Sequence, residues 1–139
     1  MFAKEDRTRD LSSTEGFADP VLAVAHFDQL QRNFSPEAFR ELVDIYLGQA
    51  GCLVREITQA LAERDGDRAG AAAHKLRGSS ATLGARALTD LCATLELQAS
   101  DDDPLAVAGM STKLQGALDA TVRALESELS KVQRAGADR

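Results

Sequence analysis

The sequence holds two histidines, His26 and His74, and the second stands among residues whose types and spacing suggest chemistry. On a helical wheel advancing about 100° per residue, Ala69, Ala72, Leu76 and Leu83 gather between about 160° and 220° from His74. His74 therefore faces away from the apolar stripe. Gly70, Ala71, Gly78 and Ala81 lie within about 60° of it on the same wheel. An exposed helix face is normally filled with Glu, Lys, Gln or Arg. Two glycines there weaken the helix with no packing return, so the face is cleared for a second body to come close to the imidazole. Lys75 and Arg77 flank the ring at about 100° and −60°. A neutral imidazole keeps one nitrogen lone pair free at neutral pH and is able to accept a phosphoryl group. The two cations would stabilise charge on the phosphoryl oxygens. The sequence has no Gly-rich phosphate loop and no kinase-type metal-binding element. Donor and acceptor would then be other proteins bringing their own metal and carboxylates.

Other readings of His74 stay open at this level. A hydrolytic arrangement would need Ser79 or Ser80, which fall at about 140° and 240°, away from the ring. A zinc or iron site would need further ligands, and the face of His74 carries no second His and no carboxylate. A surface histidine without a role, or a bundle that only binds a partner, is also compatible with the pattern.

The elements that must position this face read as helices. Asp19-Pro20 and Ser35-Pro36 both pair a capping residue with Pro at the first helical position. They predict a short helix to about Asn33, with Leu22, Phe27, Leu30 and Phe34 as contacts, and a long helix from Pro36 to about Arg64. The apolar stripe of the long helix is read as Phe39, Leu42, Ile45/Tyr46, Leu53, Ile57 and Ala60/Leu61. Gln49 falls within that stripe, where a buried amide needs partners. Asp65-Gly66-Asp67 breaks the chain, and Asp67 is expected to cap a third helix from about Arg68 to Leu83, which Gly84 ends. A fourth helix is predicted from Ala85 to about Ala99 on Leu88, Leu91, Cys92 and Leu95. The last runs from Pro104 to about Gln133 on Leu114, Leu118, Thr121/Val122, Leu125, Leu129 and Val132. Short loops between long helices favour antiparallel neighbours in an up-and-down bundle.

Composition agrees. The chain has 139 residues, a prior for one domain, and 44% are hydrophobic while 4% are aromatic. Ala and Leu dominate the apolar content and favour helix over a β-sandwich or barrel. A net charge of −6 argues against a nucleic-acid surface, which needs a clustered basic face. Two histidines are few for an imidazole-rich metal centre. Cys52 and Cys92 do not make a disulfide framework, and Cys92 reads as a small buried hydrophobe. Residues 1–18 have no secretory h-region and read as a polar, flexible arm or linker. No stretch nears the roughly 20 apolar residues of a membrane helix, so a cytoplasmic protein without membrane contact is expected. Residues 135–139 are expected to fray.

The segment His74-Lys75-Leu76-Arg77-Gly78-Ser79-Ser80-Ala81-Thr82-Leu83-Gly84-Ala85 closely resembles the signature of the histidine-containing phosphotransfer (HPt) domain. That signature has a His, a Leu two residues on, a basic residue and Gly, small residues, then Leu-Gly. Leu88, Leu91, Cys92, Leu95 and Glu96 fit the helix that follows it, and the resemblance covers about residues 20–133. It implies an all-α, up-and-down antiparallel four-helix bundle with a short extra N-terminal helix, spanning residues 19–134. It implies that His74 carries a phosphoryl group on Nε2 between aspartates of response-regulator receiver domains, or from a hybrid histidine kinase. The phospho-accepting domain of a chemotaxis-type kinase is a further possibility of the same kind. The family implies a phosphocarrier with no kinase activity of its own and no cofactor, Mg²⁺ residing on the partner receiver; a monomer is the default expectation. Lys75 and Arg77 match its basic positions, although the second is more often Lys, a change of geometry at constant charge. Gly70, Ala71, Gly78 and Ala81 would form the receiver-docking face. Gln49 falls where some members carry a glutamine bonded to the imidazole Nδ1, which would leave Nε2 free.

Overall fold

One cap signal in the sequence sets the frame directly. In the computed structural model, which describes residues 21–99, the backbone of 104–137 and the side chains of 105–131, Ser35 accepts a hydrogen bond from the Ala38 amide at 3.1 Å. This cap, with Pro36 behind it, starts the long helix as expected. The described helices are α1 (Val24–Gln31), α2 (Pro36–Ala62), α3 (Gly66–Leu83), α4 (Arg86–Gln98) and α5 (Pro104–Ala137). Helices α2, α3, α4 and α5 pack in a ring, each against the next and α5 back against α2, while α1 leans on α3. The fold is the all-α bundle that the sequence predicts, with its short extra helix at the N-terminal side.

Helix boundaries depart from the expectation in three places. Helix α1 begins at Val24, behind Ala23, and Asp19 and Pro20 lie outside the described residues, as does the arm expected at 1–18. The cap of α3 is Asp65, not Asp67. Its carboxylate accepts from the Arg68 amide at 3.1 Å, and Asp67 stands in the first turn, where a negative charge meets the positive end of the helix dipole. Helix α5 continues to Ala137, through most of the tail expected to fray.

The ends of α2 and α3 use the same device. After α2, Arg64 takes the left-handed conformation with φ 62°, and Asp65 N donates back to Ala60 O at 2.8 Å. After α3, Gly84 does so with φ 80°, and Ala85 N donates to Ser80 O at 2.8 Å. Both close a six-to-one turn over the last carbonyls. Gly84 has a second constraint. A Cβ there would stand 3.1 Å from His26 Cδ2 and 3.2 Å from Ala23 O. Those neighbours belong to the α1 segment, which crosses the α3–α4 turn through Ala23 N donating to Gly84 O at 2.7 Å and His26 Nε2–H donating to Thr82 O at 2.8 Å.

The core is aliphatic, with Phe27 and Phe39 meeting edge to face at 5.1 Å. In α2 the buried stripe is Phe39, Val43, Tyr46, Ala50, Val54, Ile57, Ala60 and Leu61. Phe39, Tyr46, Ile57, Ala60 and Leu61 are buried as the sequence predicts, and the middle of the stripe is corrected. Leu42 and Leu53 are only partly buried, and Ile45 is 65% exposed. The two candidate stripes run side by side on one helix, and the small Ala50 makes the buried one look the less apolar between Tyr46 and Val54. One polar pair lies inside: the Tyr46 and Ser80 hydroxyls are 2.7 Å apart, which fixes the register of α2 against α3. Burial pushes the Tyr46 hydroxyl up to about 12. Cys92 is buried as expected and Cys52 is exposed. Burial, with the Glu96 charge nearby, pushes the Cys92 thiol up to about 12, so it stays protonated and packs as a hydrophobe.

Gly84→Ala should destabilise the fold by about 1–2 kcal/mol, the cost of a Cβ in the left-handed region. Gly78→Ala should leave stability unchanged or raise it by up to about 1 kcal/mol, since it replaces an exposed helical glycine with nothing within 4 Å of the new Cβ. Urea denaturation of the two variants checks this. Equal midpoints would refute the role given to Gly84.

Candidate phosphotransfer site

Helix α3 turns Ala69, Ala72, Ala73, Leu76, Ser80 and Leu83 inward, and the 3.6-residue period then places His74 outward. Its side chain is 68% exposed. Ala71, Gly78 and Ala81 are exposed beside it, and a Cβ on Gly78 would meet nothing within 4 Å. These three form a bare surface around the ring. Gly70 does not belong to it. A Cβ there would lie 3.8 Å from the Ala99 Cβ, so Gly70 is a partly buried packing position against the end of α4.

The imidazole is held from α4. His74 Nδ1 is 2.9 Å from Glu96 Oε1, and Arg77 Nε is 2.9 Å from Glu96 Oε2. A carboxylate only accepts, so in the neutral ring Nδ1 carries the proton and donates it. Nε2 then keeps its lone pair. Because Nδ1 is turned to α4, Nε2 lies on the far side of the ring, over the bare surface. The carboxylate also stands where it can offset the charge the ring gains as Nε2 bonds to an electrophile.

Gln49, expected to serve Nδ1, is exposed on α2 and makes no hydrogen bond to the ring, so that position goes to Glu96. The polar residue in the supposed stripe is explained by the phase of α2: Ala50, one residue on, takes the inward place. Glu96 was recognisable as the residue after Leu95 on the amphipathic α4, and its spacing to His74 depends on how α3 and α4 pair, which periodicity within one helix does not report. Ser80 is engaged with Tyr46, and the Ser79 hydroxyl donates to the Leu76 carbonyl at 3.3 Å, so neither approaches the ring.

The cations divide. Arg77 lies on the α4 side, with Nη2 3.4 Å from Nδ1. Lys75 is exposed on the α2 side, where it lines a groove of about 390 Å³ together with Cys52 and Glu56 of α2 and Arg68 and Ala71 of α3. Arg68 in that groove is engaged by Glu56 at 2.8 Å and Glu63 at 2.7 Å. Its guanidinium holds the Glu56 carboxyl below the usual range, and Gln59 with Arg68 does the same for Glu63. Among the described residues, no group of three or more His, Cys, Asp or Glu is placed to hold a metal ion. None of the described helices is long and apolar enough to cross a membrane.

The site is an exposed histidine at the middle of a bundle helix, with Nδ1 held by Glu96. The family model of the Hpt domain matches residues 41–135, more than half of the chain, and the protein belongs to the Hpt domain family. Its role is therefore phosphotransfer in two-component signalling, where such domains meet receiver domains and kinases. Comparison with curated proteins returns no match.

Glu96→Ala should release the ring. In ¹⁵N-histidine correlation spectra taken where the imidazole is neutral, the parent should show His74 as the Nδ1–H tautomer, and the variant should shift toward Nε2–H. An unchanged tautomer in Glu96→Ala would contradict the role given to the carboxylate.

Proposed function

We propose that this protein relays a phosphoryl group between receiver-domain aspartates through His74 Nε2. The hydrogen bond from Nδ1 to Glu96 at 2.9 Å carries the reading, because it leaves Nε2 as the nucleophile on a surface with no bulky neighbour. The Nε2–P bond forms as the acyl phosphate P–O bond of the donor breaks, and the electron pair leaves with the donor's carboxylate. Nδ1 keeps its proton against Glu96, which offsets the positive charge gained by the ring. The reverse step returns the phosphoryl group to a second aspartate and restores the neutral imidazole. The protein supplies the nucleophile and its support, and catalyses no reaction of its own with ATP. The receivers supply Mg²⁺ and the carboxylates. A receiver would dock over Ala71, Gly78 and Ala81, where small side chains let its active-site mouth reach the ring.

Incubation with a ³²P-labelled phospho-receiver tests this. The parent should gain acid-labile, base-stable phosphate, and His74→Gln should gain none. Transfer to His74→Gln at the parental rate would overturn the proposal. Absence of any transfer to the parent, with tight receiver binding retained, would identify a binding module instead. Direct labelling of His74 by an ATP-dependent kinase, with no transfer from receivers, would place it as a kinase's phospho-accepting domain.

Gly78→Gln should keep the fold, as judged by circular dichroism, and slow transfer at least tenfold by blocking the approach, on the order of 1.4 kcal/mol in the barrier. Loss of the fold in Gly78→Gln would refute the docking role of that glycine.

A further inference from the structure

We infer that the two cations beside His74 have separate tasks: Lys75 meets the phosphoryl group, and Arg77 is a positioning residue that acts through Glu96. The inference rests on the phosphotransfer reading above and assigns residues within it.

Three observations carry it. First, Nδ1 is turned to α4 by Glu96, so a phosphoryl group on Nε2 projects from the far side of the ring. Arg77 lies on the near side, with its Nη2 3.4 Å from Nδ1. Second, Arg77 is already engaged. Glu96 Oε2 is buried with no hydrogen bond, and Arg77 Nε at 2.9 Å is its counter-charge. A swing of Arg77 toward the phosphoryl oxygens would strand that buried carboxylate oxygen without compensation, which is strongly unfavourable. Third, Lys75 is exposed on the α2 side, and its ammonium makes no ion pair or hydrogen bond among the described residues. Glu56, which shares the groove and feels the Lys75 charge, is bonded twice by Arg68, at 2.8 and 3.1 Å. Lys75 can therefore turn its flexible ammonium to a dianion without breaking an ion pair or hydrogen bond.

The ring, Glu96 and Arg77 thus form one preassembled unit spanning α3 and α4, while Lys75 is recruited by the charge that arrives. The assignment reverses the weight that the motif alone suggests, because the basic residue three after His74 is the one committed to the scaffold.

Potassium phosphoramidate is a suitable probe, since it needs no cognate receiver. The Nε2–P bond forms as the donor's P–N bond breaks, and the leaving group departs as ammonia. Phosphorylation rate is followed by ³¹P NMR for Lys75→Gln, Lys75→Arg, Arg77→Gln, Glu96→Gln and the double variants that pair each cation change with Glu96→Gln. Lys75→Gln should slow phosphorylation by about three- to tenfold, less than loss of a buried oxyanion donor because the site is open to solvent. Lys75→Arg should restore most of the rate. Lys75→Gln should keep the Nδ1–H tautomer and retain its full effect in the Glu96→Gln background. Arg77→Gln should disturb the tautomer, and its effect should be absorbed when Glu96 is already changed. An Arg77→Gln effect that persists undiminished in the Glu96→Gln background, or a Lys75→Gln variant as fast as the parent, would overturn the division of tasks while leaving His74 as the acceptor. A parent protein labelled no faster than His74→Gln would overturn the phosphotransfer reading itself.

Discussion

The site depends on one carboxylate. Glu96 receives the Nδ1 proton of His74 on one oxygen and faces the Arg77 guanidinium with the other. That bridge turns a freely rotating surface imidazole into a ring with a fixed tautomer and a fixed outward nitrogen. The interaction also explains why α3 and α4 must stay in register. A shift of one residue in either helix would move Glu96 about 100° around its axis or about 1.5 Å along it, and the bridge would be lost.

Much of the remaining fold serves that register. The Tyr46–Ser80 hydroxyl pair holds α3 to α2 from inside the bundle, and Arg68 holds the start of α3 to Glu56 and Glu63 of α2 from outside. At the other end of α3, the α1 segment crosses the turn at Gly84 by backbone hydrogen bonds. A glycine at that point permits both the left-handed turn and the close passage of α1. Helix α3 is thus fixed at both ends, while its middle, around His74, is left bare on the outer side. The exposed glycine at Gly78 contributes nothing to this scaffold that alanine would not, and the proposed approach of a partner to the ring gives its cost in helix stability a reason.

The sequence was legible where the signal lies within one helix. The wheel of α3 separated Ala69, Ala72, Leu76 and Leu83 from His74, and the structure places them so. Ser35-Pro36 and Gly84 marked helix ends through local backbone chemistry. Legibility failed where the answer lies between helices. The stripe of α2 was read correctly at Phe39, Tyr46, Ile57, Ala60 and Leu61 and missed in its middle, where Ala50 takes the inward place; that error turned the exposed Gln49 inward, while its candidacy for Nδ1 came from the family resemblance. Glu96 could be placed on the helix after the motif but not against the ring, because the pairing of α3 with α4 is a tertiary fact. Gly70 shares the wheel sector of His74 yet packs on Ala99, since the end of α4 reaches over that part of the face. Asp65 and Asp67 are equivalent cap candidates by type, and the left-handed turn at Arg64 selects the first.

On the proposed function, Nε2 of His74, with Nδ1 protonated against Glu96, bears the phosphoryl group. The most direct measurement is ¹⁵N–³¹P correlation on the phosphorylated, ¹⁵N-histidine-labelled protein. A coupling from phosphorus to His74 Nε2, with the Nδ1 proton still present and slowed in exchange by Glu96, is the predicted result. A coupling to Nδ1, or phosphate on any other residue, would contradict the account.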